Sequence, residues 1–434
     1  MVIFAVYKKM TRKNKHLNSS ALKSNPLFVN IASLGLVQLA NYIIPILIIP
    51  FVVRALGVEF FGKASYAQNI ISYLTLIVTY GFEYSATQDI AIHRDNKQKL
   101  KTIFWTVIRF KVILLAISFV ALAGLYFTFP KVNEDPLLYV YAALLNVGMV
   151  MFPTWFFQGI EKMKNMALFN FAIKALGAVL VILLVGAPAD YQNYVLILSL
   201  SYVVVGITSF LYVVKKYDLR NGIKDTDLSR RVIRKGFPIF LNNVFVSLYT
   251  TAGMTVIGLY LSDTEVGLYA GAHKMVYAVL MLTSMPINVA LFPMMSRKFD
   301  ESKAQGWIFF KKCLFLIAAG GIIVSVLLFL IAPLGVNIFL GKEFAEAIPL
   351  LKLFSPLPFL VITASMLTVQ GLYGMQMQRY APFVGMFLGI FSICLNFGLI
   401  PRWGVNGAVI AWLSSQLLEI IIVGSLLIVR RKKI

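Results

Sequence analysis

Five basic side chains, Arg109, Lys111, Lys174, Lys274 and Lys352, fall inside apolar runs of a 434-residue chain. A cation at such depth can meet an anion that must cross the same apolar layer, or run its long stem back to the nearest interface. Counted along their helices, Lys174 lies about 13 Å from the nearer membrane surface, and Lys274 and Lys352 about 11–12 Å from the other. Lys274 is singled out because it stands beside His273 in a segment that occurs twice. The acids Glu83, Asp89 and Glu419 also lie within apolar runs, where a carboxylate pairs with a basic loop, forms a gate, or responds to a proton or sodium gradient. An imidazole such as His273 ordinarily changes charge near neutrality. Gln38, Asn41, Gln68 and Asn69 place amides where lipid offers no partner. No phosphate-binding glycine loop, metal-ligand cluster or nucleophile–base pair stands out, and Cys313 and Cys394 make neither a disulfide framework nor a metal site.

The elements that position these groups follow from composition. Hydrophobic residues make up 59% and charged residues 13%, with a mean hydropathy of +0.81. Soluble domains hold an apolar share of roughly a half, so the chain reads as an all-α polytopic membrane protein. A barrel is excluded because the apolar runs are continuous rather than alternating. The net charge of +22 does not imply nucleic acid, since the lysines and arginines fall in short segments between apolar runs.

The opening stretch organises the rest. Residues 27–53 form one apolar run, residues 54–62 a turn, and a second apolar run returns. Pro45 and Pro50 interrupt the first run and predict a hinge, because proline removes a backbone hydrogen bond and bends the axis. The hairpin recurs: residues 56–70, shifted by 205, lie on residues 261–275, matching Leu56 to Leu261, Gly62 to Gly267 and Ala67 to Ala272. Repeated halves with broken helices are the sequence mark of an alternating-access transporter.

Further apolar runs bring the total to about twelve crossings. The expected division is a basic tail over 1–25, a six-helix lobe over 26–214, a linker over 215–235, a second six-helix lobe over 236–429, and a basic tail over 430–434. About thirty of the 40 Lys and Arg fall in the tails and in the connections on one side, which places both termini in the cytoplasm. Trp155, Trp403 and Tyr139 read as interfacial belts. The repeat carries Asp89 to within one helical turn of Arg297, so these two are expected to form an inter-lobe gate when the cavity opens outward, with Arg94 as an alternative partner within the first lobe.

Four segments resemble a known family. They are Pro50-Phe51-Val52-Val53-Arg54-Ala55-Leu56-Gly57 followed by Phe61-Gly62, Gly81-Phe82-Glu83-Tyr84-Ser85-Ala86-Thr87, Pro153-Thr154-Trp155-Phe156-Phe157-Gln158-Gly159-Ile160-Glu161, and Gly267-Leu268-Tyr269-Ala270-Gly271. In order and spacing they resemble the bacterial polysaccharide flippases, the O-antigen (Wzx-type) branch of the multidrug/oligosaccharidyl-lipid/polysaccharide exporter superfamily. The resemblance covers almost the whole chain after Asn25.

It implies two pseudo-symmetric six-helix lobes around a central cavity in the plasma membrane. It also implies a cargo of undecaprenyl-pyrophosphate-linked oligosaccharide, whose charge needs buried cations and whose sugars need hydrogen-bond partners. Lys274, Lys174, Lys111, Lys352, Asn41, Gln38 and Asn69 are the candidates for binding, and Asp89, Arg297, Glu83, Glu419 and His273 for gating or ion coupling. No cofactor is expected beyond a proton or sodium gradient. Membrane lipids, and other polysaccharide assembly proteins at the linker, are the remaining partners. The rivals are a multidrug exporter of the same superfamily, whose cavity should be acidic, and a membrane polymerase or glycosyltransferase, which would need a larger outer loop than this chain offers.

Overall fold

The computed structural model describes residues 26–220 and 225–431. Every regular element among them is helical: α1 Pro26–Thr79, α2 Phe82–Ile92, α3 Lys97–Thr128, α4 Pro130–Glu134, α5 Pro136–Met151, α6 Thr154–Gly159, α7 Met163–Leu184 and α8 Tyr191–Lys216 in the first half. The second half holds α9 Thr226–Tyr260, α10 Asp263–Glu301, α11 Lys303–Phe339, α12 Ala347–Phe354, α13 Leu357–Ser365, a π-helical turn Met366–Tyr373, α14 Ala381–Trp403 and α15 Val405–Arg431. Ten spans among the described residues are long and apolar enough to cross a membrane.

Several expected boundaries move, each for a local reason. The turn predicted over residues 54–62 shrinks to Gly57, the non-helical residue inside α1 (φ 70, ψ 175). Only glycine takes that backbone without steric cost. The helix runs on through Pro45 and Pro50, and its non-helical residue is Gly57. Helix α9 starts at Thr226, inside the stretch read as linker, because the Asp225 side chain accepts from Leu228 N and caps it. At α10, Ser262 and Glu265 form a reciprocal capping box. Asn96 caps α3 through Lys99 N. Trp155 and Tyr139 are not belt residues: both are buried, the former packed against Phe104 and Phe156, whereas Trp403 is exposed.

Small residues set the helix spacing, as expected where burial of oil against oil supplies no drive. In the first half α5 and α8 meet through Gly148 and Gly206; a Cβ on Gly206 would stand 2.6 Å from Gly148 O. In the second half α9 packs on α14 and α14 on α15. Between the halves, α1 contacts α9 and α10, and α9 also contacts α2 and α3.

The α1–α10 crossing is reciprocal. A Cβ on Gly62 would lie 1.9 Å from Asp263 O, and a Cβ on Gly267 would lie 2.1 Å from Val58 O. Val58 and Asp263 are themselves related by the repeat offset, as Gly62 and Gly267 are. Each half therefore presents the same glycine to the same position of the other, the signature of a two-fold contact. It joins the ends of the helices beside Gly57, hereafter the Gly57 end; the opposite end carries Tyr217–Arg220 and Asp225, the linker end.

Candidate functional site

A cavity of about 630 Å³ lies below this crossing. Its walls come from both limbs of α1 (Ile44, Ile48, Gln68, Ser72, Thr75), from α5, α7 and α8, and from α10. Among the described residues of the second half, α10 alone contributes to the lining, through His273, Lys274, Tyr277 and Ala278. Among the described residues, the charged side chains in the lining are Lys174 and Lys274, one from each half, and no carboxylate lines it.

Each lysine is held by an aromatic ring and a hydroxyl. Lys274 Nζ stands 4.4 Å from the centroid of Phe61 and donates to Ser65 Oγ at 3.3 Å, so it reaches across from α10 to α1. Lys174 Nζ lies 4.8 Å from the Tyr202 ring and donates to its hydroxyl at 2.5 Å. Neither has a carboxylate within ion-pair distance among the described residues. Such cations keep their charge available for an incoming anion, because ring faces and hydroxyls are weaker partners than a carboxylate. His273 stacks on Trp412 (5.2 Å between centroids) and on Tyr277 (5.9 Å), building an aromatic wall beside Lys274.

The other candidate cations lie elsewhere. Lys111, expected at the cargo, is fully buried inside the first half and donates to Met149 O at 2.9 Å. That carbonyl would normally accept from the amide four residues on, which is Pro153 and has none. Lys111 supplies the missing donor at the break between α5 and α6. Lys352 lies over the Phe329 ring at 5.3 Å, away from the cavity, and Arg109 is exposed.

Amides and acids are likewise sorted. Asn69 donates to Thr255 Oγ1 at 2.8 Å, and the Tyr73 hydroxyl shares a hydrogen with the same oxygen at 3.0 Å, so α1 is laced to α9 by a polar ladder. The side chains of Gln38, Asn41 and Pro45 lie outside the described residues. Glu83 accepts from Thr154 Oγ1 at 2.5 Å and belongs to the same junction as Lys111. Asp89 does not meet Arg297. It is buried and paired with Lys235 of α9 at 2.5 Å, while Arg297 lies 3.6 Å from Glu301 and Arg94 lies 3.2 Å from Glu161. Glu419 is buried in the second half and accepts from Thr368 Oγ1 at 3.0 Å, beside the π-helical turn.

The sequence does not single out Tyr202, Tyr277 or Trp412, because an aromatic residue in an apolar helix carries no mark of the face it occupies. It also leaves Asp263 and Lys131 as ordinary loop charges, although the match of Gly62 to Gly267 points to that end of the molecule.

Comparison with known proteins agrees with this architecture. An inward-facing multidrug resistance MATE family transporter of the MOP superfamily superposes with a TM-score of 0.71 at 15% identity, covering 93% of this chain and 99% of that one. The lipid II flippase MurJ, in an inward closed conformation, gives 0.64 at 13% identity over 91% of this chain and 86% of its own. Both likenesses are of fold. In sequence, a putative O-antigen transporter of Escherichia coli (strain K12) is 30% identical over 389 residues, 90% of this chain and 94% of that protein. The family model described as polysaccharide biosynthesis protein matches residues 27–299, from the first limb of α1 through the Lys274 segment to the end of α10. With the match spanning both halves and the cavity wall each contributes, the chain belongs to the polysaccharide biosynthesis protein family.

Proposed function

We propose that this chain is a flippase that moves undecaprenyl-pyrophosphate-linked oligosaccharide across the bacterial plasma membrane for surface polysaccharide assembly. The carrying observation is a cavity between the halves whose charged lining, among the described residues, is two lysines and no carboxylate. A pyrophosphate crossing about 30 Å of hydrocarbon needs such cations, and the hydroxyls of Ser72, Thr75 and Tyr202 suit sugars. A cationic drug would be repelled by the same pair. The similarity to a putative O-antigen transporter supports this cargo.

The two limbs of α1 add two crossings to the ten spans, giving twelve in two lobes of six, residues 26–214 and 236–429. With basic residues concentrated at the linker end, both termini lie in the cytoplasm and the Gly57 end faces outward. The chain performs no bond chemistry: Lys274 and Lys174 bind the pyrophosphate, and the lobes rock about the α1–α9 ladder to present it to the other leaflet. Glu419, buried and without an ion-pair partner among the described residues, is the carboxylate through which a proton gradient acts. The basic face of the linker is where other assembly proteins would dock.

The test is leaflet-resolved transport of a labelled lipid-linked oligosaccharide in proteoliposomes holding only this protein. Protein-dependent translocation, reduced by Lys274→Ala, is expected. Export of a cationic dye without translocation of the oligosaccharide would replace this reading with that of a multidrug exporter.

A further inference from the structure

The outermost turn of α10 carries a charge arrangement that the cavity does not use. Asp263 belongs to the second half, and both cations around it belong to the first: Lys131 Nζ at 2.6 Å and Lys63 Nζ at 4.0 Å. Lys131 also donates to Leu261 O at 3.3 Å and lies 5.3 Å from the centroid of Tyr66. The three side chains are partly shielded, Asp263 being 19% exposed and Lys131 23%. An ion pair so placed is screened less than a surface pair.

The surroundings are built for close approach across the same seam. Gly62 lies against Asp263 O and Gly267 against Val58 O, as described above. Tyr66 of α1 is inserted against Gly258 of α9, where a Cβ would stand 2.0 Å from its ring. On α10, Asp263, Gly267 and Lys274 are separated by four and seven residues. At about 100° per residue they share one face, and that face meets α1. The rim of this face is therefore ionic, its middle is glycine, and its cavity end is Lys274.

We propose that Asp263, with Lys131 and Lys63, is the latch that holds the Gly57 end shut, and that its rupture is the step that exposes the cavity on that side. The assignment rests on the transporter reading given above. A contact shifts a conformational equilibrium only if it exists in one state and not the other. This one bridges the halves at the point that must part, whereas the Asp89–Lys235 pair fastens α2 to α9 at the opposite end. Lys131 stands in the short α4 connection, so the latch also ties the loop between α3 and α5 to the closed state.

The experiment needs no cargo, so its failure is distinguishable from failure of the flippase reading. In a Cys313→Ser, Cys394→Ser background, Ser72→Cys reports from the cavity wall. Labelling by a membrane-impermeant maleimide is measured from the Gly57 side in sealed vesicles and normalised to labelling after denaturation. Asp263→Asn should raise the labelling rate about fivefold, the factor that about 1 kcal/mol makes in a two-state population. Lys131→Gln, a polar change in the short α4 connection rather than in a long helix, should do the same even if Asp263→Asn folds poorly. The double variant should add little to either single one. Glu59→Gln removes a pair with Lys63 inside the first half (3.3 Å) and should leave the rate unchanged. Unaltered labelling in both Lys131→Gln and a folded Asp263→Asn, or equal increases in Glu59→Gln, would overturn the latch.

Discussion

Lys111 and Lys274 present the same signature in the sequence, a lysine within an apolar run, and the structure gives them opposite surroundings. Lys111 is 1% exposed, sealed in the first half, and committed to the Met149 carbonyl that Pro153 leaves without an amide. Lys274 faces a cavity of about 630 Å³ and is held by a ring face and one serine hydroxyl. What distinguishes a cation committed to the fold from one left free to meet a ligand is thus the strength of its partner, not its depth. Glu83 and Glu419 divide in the same way. Glu83 joins Thr154 at the Lys111 junction, and Glu419 is buried with a threonine and no cation within ion-pair distance among the described residues.

The largest effects should separate the two lysines by what fails. Lys111→Met leaves a buried carbonyl unsatisfied at about 1–3 kcal/mol, so the expected result is lower yield of folded protein and a lower melting temperature. Lys274→Ala should leave melting unchanged while transport falls about tenfold, since a hydrogen bond to a charged group contributes about 1.5–3 kcal/mol. Lys274→Arg should keep part of the activity. A folded, inactive Lys111→Met together with a fully active Lys274→Ala would reverse the comparison.

A second-site change sharpens it. Pro153→Ala restores an amide four residues after Met149, so in that background Lys111→Met should cost measurably less than alone. The recovery should be partial, because Glu83 still loses its cationic neighbour. Additive destabilisation in the double variant would mean that Lys111 does not stand in for the proline.

How far this was legible beforehand differs by residue. The all-helical membrane fold followed from continuous apolar runs, and the repeat marked Gly62 and Gly267 before any contact was visible. The role of Lys111 was written in the sequence as well, since Pro153 follows Met149 by four, but reading it requires knowing that α3 lies beside the end of α5. Asp89 was expected opposite Arg297 once the cavity opens outward, because the repeat pairs equivalent helix ends; this structure, closed at the Gly57 end, holds it elsewhere. Its partner is Lys235, because α9 begins at Thr226 and carries that lysine, on a turn read as linker, up to α2. Local pattern fixes helices; which faces meet depends on tertiary packing, and a single chain gives no direct trace of that.

Among the acids the expected effect is smaller. Glu419→Gln keeps the hydrogen bond from Thr368 and removes the exchangeable proton, so transport should fall moderately and lose its dependence on an imposed proton gradient. Glu83→Gln should instead act on stability, in company with Lys111. A gradient response that survives Glu419→Gln unchanged would move the coupling elsewhere.

The smallest effect marks the lower bound of the comparison, at charges outside the membrane. Asp218 follows α8 at the linker end and accepts from Lys97 Nζ at 2.8 Å, with Lys101 Nζ at 3.8 Å. The hydrogen bond from Lys97, and then the charge of Lys101, hold its carboxyl below the ordinary value of 3.8. A lowered carboxylate contributes stability above its unfolded value and loses it as pH falls through the folded one. The pair is solvent-exposed, so its contribution is screened. What it holds is local: the carbonyl of the next residue, Leu219, accepts from Trp105 Nε1 at 2.7 Å and brings the start of the linker onto α3. Asp218→Asn should therefore leave transport and melting unchanged while speeding backbone hydrogen exchange around Leu219 at neutral pH. Compared at matched pH, where the chemical exchange rate cancels, the difference between variant and wild type should vanish once the pH drops below the folded value. A difference that persists in acid would show that Trp105 alone, rather than the lysine-held carboxylate, fixes the start of the linker.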